Sequence, residues 1–81
     1  MKRRVAEAWQ SFEEGVLPRN CSDVQRQEMR RAFFAGAFAT LDTISAAMSN
    51  EDEMTSDDEQ VMIDLAEERK EYLRNLLTGR A

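Results

Sequence analysis

The chain has 81 residues, a net charge of −5 at pH 7, one cysteine and no histidine. This composition excludes a disulfide framework within the chain, imidazole-based acid–base catalysis and the usual histidine-containing zinc sites. We expect a single domain over residues 1–81, in a cytoplasmic, reducing compartment. A chain this short often needs a partner subunit to complete its core.

The first predicted element is an amphipathic helix over residues 3–17. Pro18 ends it, because proline has no amide hydrogen to donate. The connection to the next helix is short, so the two helices should form an antiparallel hairpin. The apolar stripe of this first helix consists of Val5, Trp9, Phe12 and Val16.

The second predicted element is a long central helix over residues 22–49. Ser22 and Gln25 match the spacing of a capping box at its start. Its second half is apolar on almost every side, so we expect burial on several faces. Gly36 lies mid-helix at a cost of about 1 kcal/mol relative to alanine, which predicts a close approach of another helix.

This central helix predicts a homo-oligomeric bundle, since two flanking helices would leave part of its surface uncovered. The alternative is a monomeric three-helix bundle in which the flanking helices suffice. The predicted oligomer interface consists of Ala32, Phe33, Phe34, Gly36, Phe38 and Thr40.

An acidic loop over residues 50–55 should precede a third helix over residues 56–78. Ser56 and Glu59 fit a second capping box, and Gly79 is a plausible terminator. No β-pattern occurs, so the predicted fold is all-α: a helical hairpin around the central helix, plus a C-terminal helix. The predicted core side of the third helix carries Met62, Leu65, Ala66, Tyr72, Leu73, Leu76 and Leu77.

Charge is segregated along the sequence, since residues 32–68 contain ten acids and no base. Arginines cluster around the hairpin instead, near aromatic side chains, as an anionic nucleotide or a phosphate requires. The other interpretation is a solvated basic face paired with Glu13, Glu14 and Glu28. The candidate ligand-binding residues are Trp9, Phe12, Arg19, Arg26, Arg30 and Arg31.

Other kinds of site are not expected. The acidic stretch 51–59 lacks the glycine and the ligand spacing of a calcium-binding EF-hand loop. It fits a solubilising loop or an imitation of nucleic-acid phosphates. Without a phosphate loop or nucleophile elbow, the sequence predicts a non-enzyme with no catalytic residues, no metal and no cofactor. Direct DNA binding and a membrane span are not expected either.

From Val16 to Leu41 the sequence reads VLPRNCSDVQRQEMRRAFFAGAFATL, after a tryptophan in the first helix. This stretch resembles a group of small proteins encoded by tailed phages and prophages, whose activity is not settled. The shared pattern is a V-x-P-type turn, a serine cap and Q-x-x-E-M-R-R-A-F-aromatic-A-G-A. The matching residues are Trp9, Pro18, Ser22, Gln25, Glu28, Met29, Arg30, Arg31, Ala32, Phe33, Phe34, Ala35, Gly36 and Ala37.

In its layout alone, the hairpin is similar to phage proteins that sequester cyclic-nucleotide immune signals. That family is oligomeric and binds its ligand between subunits. This sequence departs from it at Arg30 and Arg31, which follow Glu28 and Met29 directly, and it matches none of the family's ligand contacts.

The resemblances imply a phage accessory protein that acts against defence in the host cytosol. The first expectation is sequestration of an anionic signal, a cyclic nucleotide or an ADP-ribose derivative, in a pocket between subunits. The second is an acidic inhibitor of a host defence complex, similar to an anti-CRISPR protein or a nucleic-acid mimic. The third is a structural or regulatory subunit of the phage.

Overall fold

A computed structural model describes residues 1–47 and 55–81, which form three helices. These are α1 (Arg4–Gly15), α2 (Asp23–Ala47) and α3 (Ser56–Leu77). The described ranges contain no strand, which confirms the prediction of an all-α chain. Most of the predicted acidic loop, residues 50–54, lies outside the described residues.

The predicted capping box of α2 is confirmed. The Gln25 amide N–H donates to Ser22 Oγ over 3.1 Å, and the Ser22 N–H donates to Gln25 Oε1 over 3.2 Å. Each side chain thereby satisfies a backbone amide that the first turn of a helix cannot pair. This end of α2 is fixed beside the α1–α2 connection, where Leu17 is buried.

The capping box predicted for α3 is wrong by one residue. Thr55, not Ser56, is the N-cap: its hydroxyl accepts the Asp58 amide N–H over 3.1 Å, and Asp58 Oδ2 accepts the Thr55 N–H over 3.2 Å. Ser56 is therefore the first residue of the helix. Asp58, one of the acids in this turn, is used to hold the helix end.

Gly79 ends α3 as predicted. It has a φ of +74°, and its N–H donates to the Leu76 carbonyl oxygen over 3.2 Å. The next N–H, from Arg80, donates to the Asn75 carbonyl oxygen over 2.7 Å. These two bonds form a Schellman motif, which requires the left-handed conformation that glycine adopts without strain. The chain then turns so that Ala81 is buried against α2, 4% exposed.

The core of the protein is an aromatic cluster contributed by all three helices. Phe34 of α2 stacks on Tyr72 of α3, with 4.9 Å between ring centroids and 14° between planes. On the other side, Trp9 of α1 meets Phe33 edge-on at 5.5 Å. Such pairs add roughly 0.5–1.5 kcal/mol each beyond the burial of their area. The buried hydrophobic residues are Val5, Trp9, Leu17, Phe34, Phe38, Tyr72 and Ala81.

The face of α3 predicted to enter the core is only partly correct. Tyr72 is buried and Leu65 packs against the core, but the other inward positions hold Asp64 and Glu68, which are 3% and 2% exposed. The helix is turned this way because both carboxylates have partners on α1. Ala66, Leu73, Leu76 and Leu77, which were predicted on the core side, are consequently exposed.

The α1–α3 contact is a row of charged groups. Arg3 donates from Nε and Nη2 to the two carboxylate oxygens of Glu71, both over 2.8 Å. Arg4 Nη2 lies 3.3 Å from Asp64 Oδ2, while Gln60 donates to Asp64 Oδ1 over 2.9 Å. The hydrogen bond from Arg3 lowers the pKa of Glu71. The pKa of Asp64 is lowered as well, mainly by the hydrogen bond from Gln60 and also by the positive charge of Arg4.

Within one chain, α2 buries a single face rather than several. Phe34 and Phe38 are its only buried residues in the described part of the chain, with Phe33, Ala37 and Leu41 packed beside them. Ile44, near the end of the helix, is 51% exposed. The apolar pattern of α2 thus exceeds what α1 and α3 cover.

Candidate anion-binding groove

An open groove with a volume of about 390 Å³ lies between the first half of α2 and the segment that follows α3. Three arginines, Arg26, Arg30 and Arg80, line it together with two carboxylates. Two of the three were predicted from the sequence as ligand-binding residues. Its complete lining is Glu13, Asp23, Arg26, Gln27, Arg30, Arg80 and Ala81.

Arg30 is held in place by an aromatic ring. Its guanidinium carbon lies 4.5 Å from the centroid of the Phe34 ring, which is itself fixed between Tyr72 and Phe38. A guanidinium stacked by its face keeps its N–H groups at the edge available for hydrogen bonds. No carboxylate pairs with Arg30 among the described residues. Arg30 therefore presents an oriented, unneutralised cation to the groove.

Arg26 connects this groove to a second one. It lies 3.2 Å from Glu13 of α1, a half-exposed ion pair that closes the hairpin. The second groove, about 360 Å³, is lined by Arg26 and Arg19 together with Glu13, Glu14, Leu17 and Pro18. Because Glu13 borders both grooves, an anion at Arg26 has to compete with this carboxylate.

Arg31 does not line the groove but fixes the chain that does. Its Nε donates to the main-chain oxygen of Ala81 over 2.8 Å, and Gln27 Nε2 donates to the same oxygen over 3.0 Å. These bonds anchor the segment after Gly79 on α2 and leave Arg80 at the groove. Arg80 was missed by the sequence reasoning. Gly79 signalled the end of α3, but not the direction the chain takes afterwards.

The predicted aromatic residues of the site lie elsewhere. Trp9 is 5% exposed and belongs to the core. Phe12 is half-buried beside it, with 5.7 Å between their ring centroids. Neither lines the grooves described above. The apolar stripe of α1 explains this placement, because that stripe is what α1 buries against α2.

A third groove of about 450 Å³ lies behind the α1–α2 connection. It contains Glu28 and no arginine, so it lacks a cationic side chain to attract an anion. Its lining is Pro18, Asn20, Cys21, Gln25, Glu28 and Met29.

The residues predicted for an oligomer interface divide into two groups. Phe34 and Phe38 are covered by Tyr72 of the same chain, so these rings are not a free surface for a partner. Phe33 is half-buried against the core. Ala32, Gly36 and Thr40 are exposed, and a Cβ added to Gly36 would meet no atom within 4 Å.

Among the described residues, no group of three or more acidic or cysteine side chains is arranged to hold a metal ion. None of the three described helices combines the length and hydropathy needed to cross a membrane.

Comparison of the chain with protein-family models, with curated proteins and with solved structures finds no match. Function is therefore inferred from the residues of the groove.

Proposed function

We propose that this protein is a non-enzymatic phage accessory protein that binds an anionic signalling nucleotide and withholds it from a host effector. The observation that carries this proposal is the convergence of Arg26, Arg30 and Arg80 on one groove. Two of these, Arg30 and Arg80, have no carboxylate partner in the described part of the chain.

The chemistry of the groove suits phosphate groups. Guanidinium groups form paired, charge-assisted hydrogen bonds with phosphate oxygens, and stacking on Phe34 reduces the motion that Arg30 loses on binding. The volume, about 390 Å³, falls within the range of small-molecule sites. We therefore propose that the groove holds its ligand without reacting with it, which is sequestration rather than catalysis.

The ligand in this proposal is held by one chain rather than between subunits. Arginines from α2 and the segment after α3 already reach the same groove without a second copy. An oligomer built on Ala32, Gly36 and Thr40 stays a separate prediction.

The acidic-inhibitor alternative has less support, because part of the acidic face is used within the chain. Asp58 caps α3, and Asp64 is 3% exposed and bonded to Arg4 and Gln60. Asp57 and Glu59 are the exposed acids left in the described part of this stretch, and residues 51–53 lie outside it.

The test is a thermal-shift screen against cyclic di- and trinucleotides and ADP-ribose derivatives. A ligand at one hundred times its Kd should stabilise the fold by about 2.7 kcal/mol, a Tm increase of about 10–20 °C for a chain this size. Arg80→Ala should abolish the shift, because it removes one of the two groove arginines without a carboxylate partner. It should not weaken the fold, since the Arg80 side chain makes no hydrogen bond or ion pair in the described structure.

Arg74→Ala is the matched control, because Arg74 is an exposed arginine outside the groove. It should retain the full shift. No shift across the whole panel, or an equal shift in wild type and Arg80→Ala, would refute the proposal. A flat panel would direct attention to a protein partner for the acidic face, whereas an equal shift would place the ligand outside this groove.

A further inference from the structure

The outward face of α3 carries large apolar side chains that the described part of the chain leaves uncovered. Ile63 is 50% exposed, Leu73 47% and Leu77 89%. They are uncovered because Asp64, Glu68 and Tyr72 occupy the opposite, inward face of the helix. The inward face of α3, which carries the carboxylates, is covered by the rest of the chain. Its outward face, which carries the leucines, is free to contact a partner.

The outward residues follow a heptad pattern. Ile63, Ala66, Lys70, Leu73 and Leu77 are separated by three, four, three and four residues, the spacing of a coiled-coil seam. Between Ile63 and Leu77 the single polar position of the seam is Lys70, which is exposed and has no carboxylate partner among the described residues. A lone lysine in such a seam selects among orientations and registers of the partner helix.

The exposed charges of α3, in the seam and beside it, change sign along the helix. Glu59 and Glu67 come first along α3, and Lys70 and Arg74 follow. None of the four forms an ion pair within the described structure. An antiparallel copy of the same helix sets acids against bases, whereas a parallel copy sets like charges together.

We propose that a second copy of this chain covers this face, with the two α3 helices packed antiparallel about a two-fold axis. In a parallel pair the seam would place Lys70 against Lys70. An antiparallel pair whose two-fold axis is level with Glu68 places each Lys70 opposite Ala66 of the other copy and each Leu73 opposite Ile63. The stem of Lys70 packs on that Ala66 and its ammonium group reaches the other copy's Glu67.

The α3 face fits this role better than the α2 surface that was predicted as an oligomer interface. The α2 residues predicted for an interface that remain exposed are Ala32, Gly36 and Thr40, which offer little apolar area. The α3 seam offers isoleucine and leucine side chains along about 21 Å of helix, from Ile63 to Leu77. This inference does not depend on the ligand proposed above.

The experiment is sedimentation equilibrium of the whole chain without ligand. Wild type should be a dimer, and Leu73→Asn should shift it to monomer while its helical circular dichroism stays unchanged. Ile44→Asn is the matched control, since Ile44 is equally exposed, 51%, but lies on α2. It should remain dimeric.

A charge exchange tests the orientation. Glu67→Lys and Lys70→Glu should each weaken the dimer at least tenfold, and the double variant should recover most of the loss. A monomeric wild type, or a dimer indifferent to Leu73→Asn, would overturn the proposal. Failure of the double variant to recover would overturn the antiparallel arrangement.

Discussion

The carboxylate of Glu68, in the middle of α3, accepts the backbone N–H of Val5, in the first turn of α1, over 2.9 Å. Its other oxygen accepts the N–H of Ala6 over the same distance. The side chain of Arg3, the N-cap residue of α1, makes no capping hydrogen bond to this turn. The first turn of α1 is thus capped by a different helix, and the negative charge lies where the helix dipole favours it.

Removing this cap should be costly. We expect Glu68→Ala to lower the free energy of unfolding by about 3 kcal/mol, because two amides lose their partner where water has little access. Urea denaturation followed by circular dichroism measures the loss. Glu28→Ala, at an exposed glutamate of α2, should change stability by no more than about 0.5 kcal/mol. Equal effects of the two substitutions would show that the cap contributes nothing particular.

Acid should destabilise the fold. The pKa values of Asp64 and Glu71 are lowered in the folded chain, by the hydrogen bonds from Gln60 and Arg3 respectively. The unfolded chain therefore binds more protons around its carboxylate pKa values of about 3.9–4.3, and stability increases with pH through that window. The contribution is complete above the window and is lost as pH falls through the lowered folded values.

Urea midpoints between pH 7 and pH 3 test this dependence. Glu71→Gln should flatten the acid limb of the curve, because the group that Arg3 stabilises no longer titrates. Glu28→Gln, at a carboxylate without an ion pair in the described structure, should leave the curve as in wild type. A wild-type stability that stays constant down to pH 3 would contradict the assignment.

Gly79→Ala should destabilise the protein. The φ of +74° forces an L-residue into the left-handed region, which costs roughly 1–2 kcal/mol. A chemical denaturation curve at pH 7 gives the difference. The strain also loosens the segment that carries Arg80, so any ligand bound in the groove should bind more weakly to this variant. Unchanged stability would mean that the Schellman motif is absent in solution.

Gly36→Ala should have the opposite sign. A Cβ at this position meets no atom within 4 Å, and alanine gains about 1 kcal/mol over glycine inside a helix. A rise in the unfolding midpoint with no change in sedimentation is the expected result. A dissociated oligomer would instead mean that another helix approaches Gly36 closely, as the sequence pattern predicted.

The features that could be predicted from the sequence are those determined by neighbouring residues. The Ser22–Gln25 capping box and the Gly79 terminator each depend on residues within one or two helical turns. The α3 cap was misplaced because two overlapping pairs, Thr55 with Asp58 and Ser56 with Glu59, have the same spacing. Only the backbone conformation of Thr55, φ −75° and ψ 166°, distinguishes them.

The orientation of α3 could not be predicted from periodicity. Leucines at helical spacing indicate an apolar face, but they do not say whether that face meets this chain or another one. The decisive contacts join Glu68 to Val5 and Ala6, which are more than sixty residues away in sequence. For the same reason Arg26 and Arg30 were predicted together, one turn apart, whereas Arg80 reaches them only through the fold.

The cap on α1 also determines the order in which a nascent chain can mature. The carboxylate that completes the first turn of α1 is translated 63 residues after Val5. At 5–20 residues per second, that interval is about 3–13 seconds. Protease digestion of released chains truncated before Glu68 should cleave within α1, whereas the full chain should resist. Until Glu68 is translated, α1 lacks the group that caps its first turn, so this helix depends for its protection on a helix that is translated after it.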